Sequence, residues 1–364
     1  VEQQRIIFTV TNELTYDQRM IRICTSLVNA GFDVLLIGRK KHNAQPLTDQ
    51  LFQQKRLSCF FQKGKLFYLE YNIRLLFFLL FQKVHIISAV DLDTLVACTL
   101  AAKIKSKMLA FDAHEYFEEV PEVVNRPLIQ KIWKQVGLWF IPQANITYTV
   151  NHSLATLFAN MYHKPFKVIR SLPYRYGHVV KQKKEQKTIL YQGALNKGRG
   201  LEFLIRAMAQ IDAQLLIAGE GDLSGQLRNM AYDLALQHKI TFLGYVEPDQ
   251  LKHITAKANI GFNVMEPQGL SYYYSLANKF FDYIQAEVPQ ICSPFPEYEY
   301  LNLQHEVAVF CNCNVNEIAN TINDLLQDSN RYRILQQNCQ QAKQQFCWDI
   351  EEEKLVTLYR NAKK

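Results

Sequence analysis

The chain has 364 residues, and at about 100 to 200 residues per domain that is enough for about two domains, each with its own core. Apolar residues make up 48% and charged residues 21%, which excludes a disordered or fibrous chain. The net charge of +7 is uneven: residues 1–187 carry 26 Lys and Arg against 14 Asp and Glu, a net of +12, whereas residues 188–364 carry 15 against 20, a net of −5. The basic charge is dispersed and comes with no recognisable nucleic-acid module, so it points to a phosphorylated substrate or anionic lipid and away from nucleic acid.

The first predicted element is a strand over 6–10, a short apolar run followed at once by Thr11, Asn12 and Glu13, which does not read as a secretory signal. A helix over 20–30 follows, with Ile21, Cys24, Leu27 and Val28 on one face and Gly31 as its stop. Further strands are expected at 34–37, 84–88, 108–112, 146–150 and 168–170. Between them lies 66–82, which places Phe67, Tyr71, Leu75, Phe78 and Leu79 on one broad face, flanked or punctuated by Lys63, Lys65, Arg74 and Lys83. A bilayer span needs ~20 apolar residues and the longest uninterrupted run here is 75–81, so this is not one. Two roles fit the pattern: packing on a sheet, or insertion of that face into an anionic membrane surface.

The charged, anchorless stretch 181–187 reads as a linker between a domain over 1–180 and a second over 187–347. The alternation then restarts with a strand over 188–191, a glycine-rich turn, a helix over 201–208 and strands at 215–218, 240–243, 260–264 and 290–292. The fold class is therefore α/β, with two doubly wound domains of similar size and ligands expected at the carboxyl ends of the strands and in a cleft between the domains. An amphipathic tail, 348–364, follows the second domain. The eight cysteines are scattered with no C-x-x-C spacing, which argues for reduced thiols and against structural zinc or a disulfide framework.

Three stretches carry chemistry. The turn after the 188–191 strand holds Gly193, Gly198 and Gly200 with Lys197 and Arg199 between them, ahead of a helix; glycines let backbone N–H groups approach an anion, and the cations add full charge. Gly219 and Gly221 flank Glu220 after the next strand, but Ser224 stands where a dinucleotide fingerprint needs its third glycine. At 275–284 a helix start is expected, with Ser275 as its cap, free N–H groups at Leu276, Ala277 and Asn278, and Lys279 in the first turn. A lysine there opposes the helix dipole unless a bound diphosphate removes the conflict. Asp282 lies one short turn on and is placed either to hold a ribose diol or to form an exposed pair with Lys279.

Together these stretches resemble the retaining GT-B glycosyltransferases, specifically glycosyltransferase family 4, whose two domains are Rossmann-like. The segments 191–208, 215–222, 240–246 and 275–289 match that family's C-terminal domain in order and spacing. In the first half, Asp17 and Arg19 after the first strand, Asp91 and Asp93 after another, and His114 and Glu115 at a strand end are family-like, and the tail from Trp348 looks like the final helix that returns to the N-terminal domain. The resemblance implies a nucleotide-sugar donor held by the C-terminal domain and an acceptor held by the N-terminal domain. Carried over by position, Gly193, Lys197, Arg199 and Lys279 would line the diphosphate, Asp282 would bind ribose, and Gly219, Glu220 and the 242–246 stretch with Tyr245 would frame the base. His114 and Glu115 would face donor sugar and acceptor, with Asp17 and Arg19 on the acceptor side. Two positions depart from the family: Ala194 stands where a basic residue is common, and Tyr274 replaces the first of two glutamates, Asp282 the second. Glu266 would supply the missing carboxylate.

In this reading Arg199, Lys279 and the helix N-terminus stabilise the leaving diphosphate, so no metal and no cofactor is needed. Asp91 and Asp93 have D-x-D spacing, but they fit a loop or a helix cap better than a Mg²⁺ site. His114 acts as a positioning residue. The expected acceptor is a saccharide or a lipid-linked, phosphate-bearing molecule in glycan or cell-surface polysaccharide synthesis, met in the cytoplasm or at the inner face of an anionic membrane. A degenerate transferase acting as a binding partner, or a nucleotide-sugar epimerase, are the competing functions.

Overall fold

The computed structural model describes residues 3–15, 17–42, 44–177 and 186–362. It divides into two compact units, Val1–Ser171 with Glu351–Lys364, and Leu172–Ile350. Leu172 begins the second because its side chain is fully buried among Phe281, Phe295 and Phe346. Of the charged stretch read as a linker, residues 181–185 lie outside the described residues.

The first unit is built on a parallel sheet of β1 (Arg5–Thr9), β2 (Asp33–Lys40), β3 (Gln53–Ser58), β4 (Ile86–Val90), β5 (Met108–Ala113), β6 (Ile146–Thr149) and β7 (Lys167–Val168), in the order β3-β2-β1-β4-β5-β6-β7. Strands covered on both faces read as continuous apolar runs, and β1, β4 and β5 are buried almost throughout. The strand β3 carries no such run. It is a polar, half-exposed edge strand, Gln-Gln-Lys-Arg-Leu-Ser, and for that reason it escapes a hydrophobic-pattern reading. Its pairing draws β2 out to Lys40, beyond the expected strand.

Helix α1 (Gln18–Asn29) buries Met20, Ile23, Cys24 and Leu27, while Ile21 and Val28, expected inside, are only half-buried. Helix α2 (Lys65–Leu80) turns Phe67, Tyr71, Leu75 and Leu79 inward, and the Tyr71 hydroxyl donates to the Val10 carbonyl at 2.6 Å. Of the two roles that fitted this face, packing on the sheet is the one it has. Helices α3 (Leu92–Ile104) and α4 (Pro127–Phe140) complete the layer. Connections β3→β4, β4→β5 and β5→β6 all step the same way across the sheet, so right-handed crossover places α2, α3 and α4 on one face. The end of the chain also packs here: Tyr359 is fully buried, its ring 5.8 Å from that of Phe8, and its hydroxyl shares hydrogen bonds with Ser88 and Tyr148, both 3.2 Å.

The second unit repeats the plan with β8 (Thr188–Gln192), β9 (Gln214–Ala218), β10 (Ile240–Gly244), β11 (Ile260–Asn263), β12 (Gln290–Cys292) and β13 (Ala308–Phe310), all parallel, ordered β10-β9-β8-β11-β12-β13. The three-residue β13 is too short to stand out in the sequence. In both units the order of connection reverses beside the first strand, between β1 and β4 and between β8 and β11, and a doubly wound sheet leaves an open crevice at the carboxyl ends there. All eight cysteines are free thiols.

Candidate active site

In the second unit the crevice is closed from below by two turns in contact. Gly193 (φ +124°) and Gly219 (φ +146°) follow β8 and β9, and a Cβ on Gly219 would lie 1.9 Å from the Gly193 carbonyl oxygen. Only glycine fits. Gly221 is wedged in the same way, its missing Cβ 2.6 Å from the Leu195 nitrogen, while the Ser224 hydroxyl accepts from the Gly221 N–H at 2.9 Å. These glycines thus serve the contact between turns rather than a dinucleotide cradle. Helix α5 (Leu201–Ala207) starts at Gly200, whose φ of +67° and approach to the Val264 carbonyl, 2.6 Å from a would-be Cβ, again demand glycine.

Above these turns sit the cations. Arg199 lies with its guanidinium 4.8 Å from the centre of the Tyr272 ring, and it donates to the Met265 sulfur at 3.3 Å. Met265 is itself held on both sides of its peptide by the Ser293 hydroxyl, which accepts from its N–H at 2.8 Å and donates to its carbonyl at 2.7 Å. Tyr272 comes from the short helix α6 (Gly269–Tyr273), and its hydroxyl donates to the Lys197 carbonyl at 3.2 Å. Lys197 is exposed. Glu266 joins the loop to the glycine turn, its N–H donating to the Gly198 carbonyl at 3.0 Å and its carboxylate accepting from Gln268 at 3.0 Å.

Helix α7 (Asn278–Gln285) opens two residues later than expected. Ala277 occupies the cap position without a side-chain acceptor, and Ser275 instead donates to the Tyr272 carbonyl at 2.8 Å, closing the turn of α6. The Ala277 N–H is not free either, since it donates to the Tyr298 hydroxyl at 2.9 Å. Leu276 is half-buried in the connecting turn and Asn278 is exposed at the helix start.

Lys279, the second residue of α7, is 8% exposed, with its ammonium 3.7 Å from the centre of the Tyr191 ring. It is not the exposed partner of Asp282. Among the described residues no hydrogen bond or ion pair holds that ammonium, and burial followed by the charge of Arg199 drives it well below the usual lysine value, with Asp282 pulling the other way. Within the chain the cation has only the face of Tyr191 and the more distant pull of Asp282, so an anion bound beside it would stabilise it further. Asp282 accepts from the Gln192 amide at 2.9 Å and from the Tyr176 hydroxyl at 3.5 Å, and Gln192 is itself fixed by Thr255 at 2.8 Å. At the far side Glu220 is exposed and paired with Arg228 at 3.1 Å, Arg228 stacks on Phe242 at 4.7 Å, and Tyr245 presents an open ring after β10.

The first unit gathers a different set at the ends of β1, β4 and β5. Asp17 caps α1, accepting from the Met20 N–H at 3.0 Å and from Asn12 at 2.6 Å. Arg19, expected to meet an acceptor, is buried and committed to Asp112, with both carboxylate oxygens within 3.0 Å, and to the Ile169 carbonyl at 3.2 Å. Asp91 stands at the start of α3 without capping it; its carboxylate accepts from the His114 N–H at 2.8 Å and so fixes the strand end that carries His114 and Glu115, both exposed. Burial, Glu115 and Asp93 push Asp91 well above the usual carboxylate range. Asp93 accepts from Thr11 at 2.5 Å and is pushed up to about 7, chiefly by burial.

Tyr191, Met265, Tyr272, Ser293 and Tyr298 belong to the second site and carry no sequence motif; the run Tyr272, Tyr273, Tyr274 beside the expected loop was the one available signal.

Residues 178–345 match the family described as glycosyl transferases group 1. The match takes in a little under half of the chain. A stretch of 92 residues is 40% identical to the uncharacterized glycosyltransferase MJ1607 of Methanocaldococcus jannaschii, and it spans 24% of this chain and 24% of that protein. Over nearly the whole chain the fold is that of GT-B enzymes: sucrose-phosphate synthase of Thermosynechococcus elongatus superposes with a TM-score of 0.80 at 17% identity, covering 98% of both chains. HepE of Anabaena in complex with UDP-glucose superposes with a TM-score of 0.78 at 14% identity, covering 98% of this chain and 100% of that one. The segment similar to that family lies within the unit that holds Arg199 and Lys279.

Proposed function

We propose that the chain is a glycosyltransferase that moves a sugar, with retention of configuration, from a nucleoside-diphosphate donor to a saccharide or lipid-linked acceptor in glycan synthesis, at the cytoplasmic face of a membrane. The observation that carries this reading is Lys279, a buried ammonium that makes no hydrogen bond or ion pair among the described residues, set at a helix start beside Arg199. Breaking the bond between the anomeric carbon and phosphate develops negative charge on the diphosphate, and fixed cations in a site poor in water stabilise that charge strongly. Arg199 is held for this task by Tyr272 and by the Ser293-clamped Met265. Lys197 would extend the cationic edge, and Asp282, oriented by Gln192, would accept from a ribose hydroxyl. The base would lie between Glu220 and Tyr245, and Glu266 would meet the sugar. His114 and Glu115, on a strand end fixed by Asp91, would position donor sugar and acceptor. With two cations on the leaving group, the chemical step needs no metal. The UDP-glucose complex of HepE supports the donor class.

The test is incubation with a panel of nucleoside-diphosphate sugars, with and without saccharide acceptors, in the presence and absence of EDTA. Acceptor-dependent release of the nucleoside diphosphate, unchanged by chelator, is expected. Donor-only turnover would instead indicate an epimerase or hydrolase, and an absolute metal requirement would show that the charge stabilisation has been assigned to the wrong groups.

A further inference from the structure

Helix α2 is apolar on both sides. Phe67, Tyr71, Leu75 and Leu79 fill the core, while Leu66, Leu69, Ile73 and Phe77 form a second stripe at helical spacing on the opposite side, all of it open to solvent, with Phe77 59% exposed. A helix that needed only to cover a sheet would carry polar residues there.

Next to this stripe the chain builds a projecting pair of phenylalanines. Glu70 accepts from the Phe60 N–H and the Phe61 N–H, each at 2.9 Å, one on each carboxylate oxygen, and it accepts from Arg74 at 2.7 Å. Those two N–H groups are the main reason its carboxyl sits below the usual range. The loop is thus fastened to α2 with Phe60 83% exposed. Such a fastening fixes two large apolar rings in water, a cost with no return inside this unit.

Helix α4 has the same character. Leu128 and Trp139 are 78% and 65% exposed, and α4 touches α2 through the Trp133 and Tyr68 rings, 5.8 Å apart. Both helices lie on the same face of the sheet as α3, which connects β4 to β5 and carries the exposed Ile104 beside Lys103. The charges on this layer are mainly cationic: Glu119 pairs with Lys134 at 3.2 Å and Glu70 with Arg74 at 2.7 Å, and the other lysines add charge beyond these pairs. Lys63, Lys65, Arg74 and Lys83 frame the α2 stripe, α4 carries Lys131 and Lys134 with no acid, and the one acid of α2, Glu70, is occupied by the Phe60 loop.

We propose that the outer layer of the first unit, centred on the Phe60–Phe61 loop and the exposed stripe of α2, docks on an anionic lipid bilayer, with the aromatic rings entering the interface and the lysines meeting the headgroups. Apolar rings rimmed by an excess of cations complement a surface that is apolar within and anionic at its boundary, whereas a second copy of the same face would set lysines against lysines. The surface gives the proposed work at a membrane its point of attachment and rests on that reading for its purpose, but its chemistry belongs to the first unit alone. It also moves the contact from the inward face of α2 to the outward one.

The experiment is flotation of the full chain with vesicles of equal parts phosphatidylglycerol and phosphatidylcholine, at low and high salt, beside vesicles of phosphatidylcholine alone. The wild type is expected to float with the anionic vesicles at low salt and to lose much of that binding at high salt. The variant Phe60→Ser, Phe61→Ser, Phe77→Gln is expected to bind at least about tenfold more weakly, with its thermal midpoint and its turnover of soluble donor unchanged. No flotation of the wild type, or equal flotation of the variant, would overturn the proposal. So would a concentration-dependent dimer in analytical ultracentrifugation that the same variant dissolves, since the face would then belong to a second copy. Donor turnover is read separately, so failure of docking and failure of the transferase reading are distinguishable.

Discussion

The two crevices arise from the same sheet topology and carry opposite charge logic. In the first unit the buried cation Arg19 has its anion within the fold, Asp112, and the surplus lies with carboxyls, Asp91 and Asp93, which burial drives toward the neutral form. In the second unit the buried cation Lys279 makes no ion pair among the described residues, and the repulsion of a second cation, Arg199, outweighs the pull of Asp282. A protein that closes its own charges in one place and leaves them open in another identifies where an outside charge is expected. The doubly wound sheet supplies the crevice in both cases; the side chains alone decide that one crevice is completed by the chain and the other by a ligand.

Exchanging the two cations for alanine is the most direct way to break this comparison. Arg19→Ala leaves Asp112 buried and unpaired and is expected to destabilise the first unit by ~3–5 kcal/mol, read as a lower midpoint in urea. If the variant is as stable as the wild type and is impaired only in turnover, Arg19 belongs to the site and the contrast fails. Lys279→Ala and Arg199→Ala should do the reverse, lowering turnover by on the order of 10² or more while the fold survives. Near-normal rates in both would remove the proposed phosphate site.

A smaller effect sharpens the first half of the comparison. With the Asp93 carboxyl raised from 3.8 to about 7, the folded state holds a proton that the unfolded state has released, so stability is lost as pH rises between those values. Asp93→Asn keeps an acceptor for Thr11 and cannot ionise. It is therefore expected to stabilise the chain by on the order of 1 kcal/mol or more above pH 7, with the gain vanishing below pH 4. Chemical denaturation across that range checks it, and a gain independent of pH would mean that Asp93 is an ordinary surface carboxylate.

Much of this was written locally. Parallel strands such as Ile6 to Thr9 announce themselves because both faces are covered, and the glycine turns and the lysine at a helix start are signals carried by a few consecutive residues. The polar edge strand β3 and the three-residue β13 gave no such signal, since pairing alone makes them strands. The cap of α7 was misplaced because Ser275 found a nearer carbonyl, that of Tyr272.

By itself, then, the sequence determined two α/β units, the turns that need glycine, and which segment holds cations near a helix start, because these depend on neighbours within a turn or two. Only the tertiary structure decided which cation is satisfied. Arg19 meets Asp112 across 93 positions of chain, and Lys279 is buried against Tyr191 without an ion pair among the described residues. The fold also chose which apolar side of α2 faces inward. Helical periodicity places residues on faces but does not say which face meets the sheet, and that choice is made by packing against distant strands.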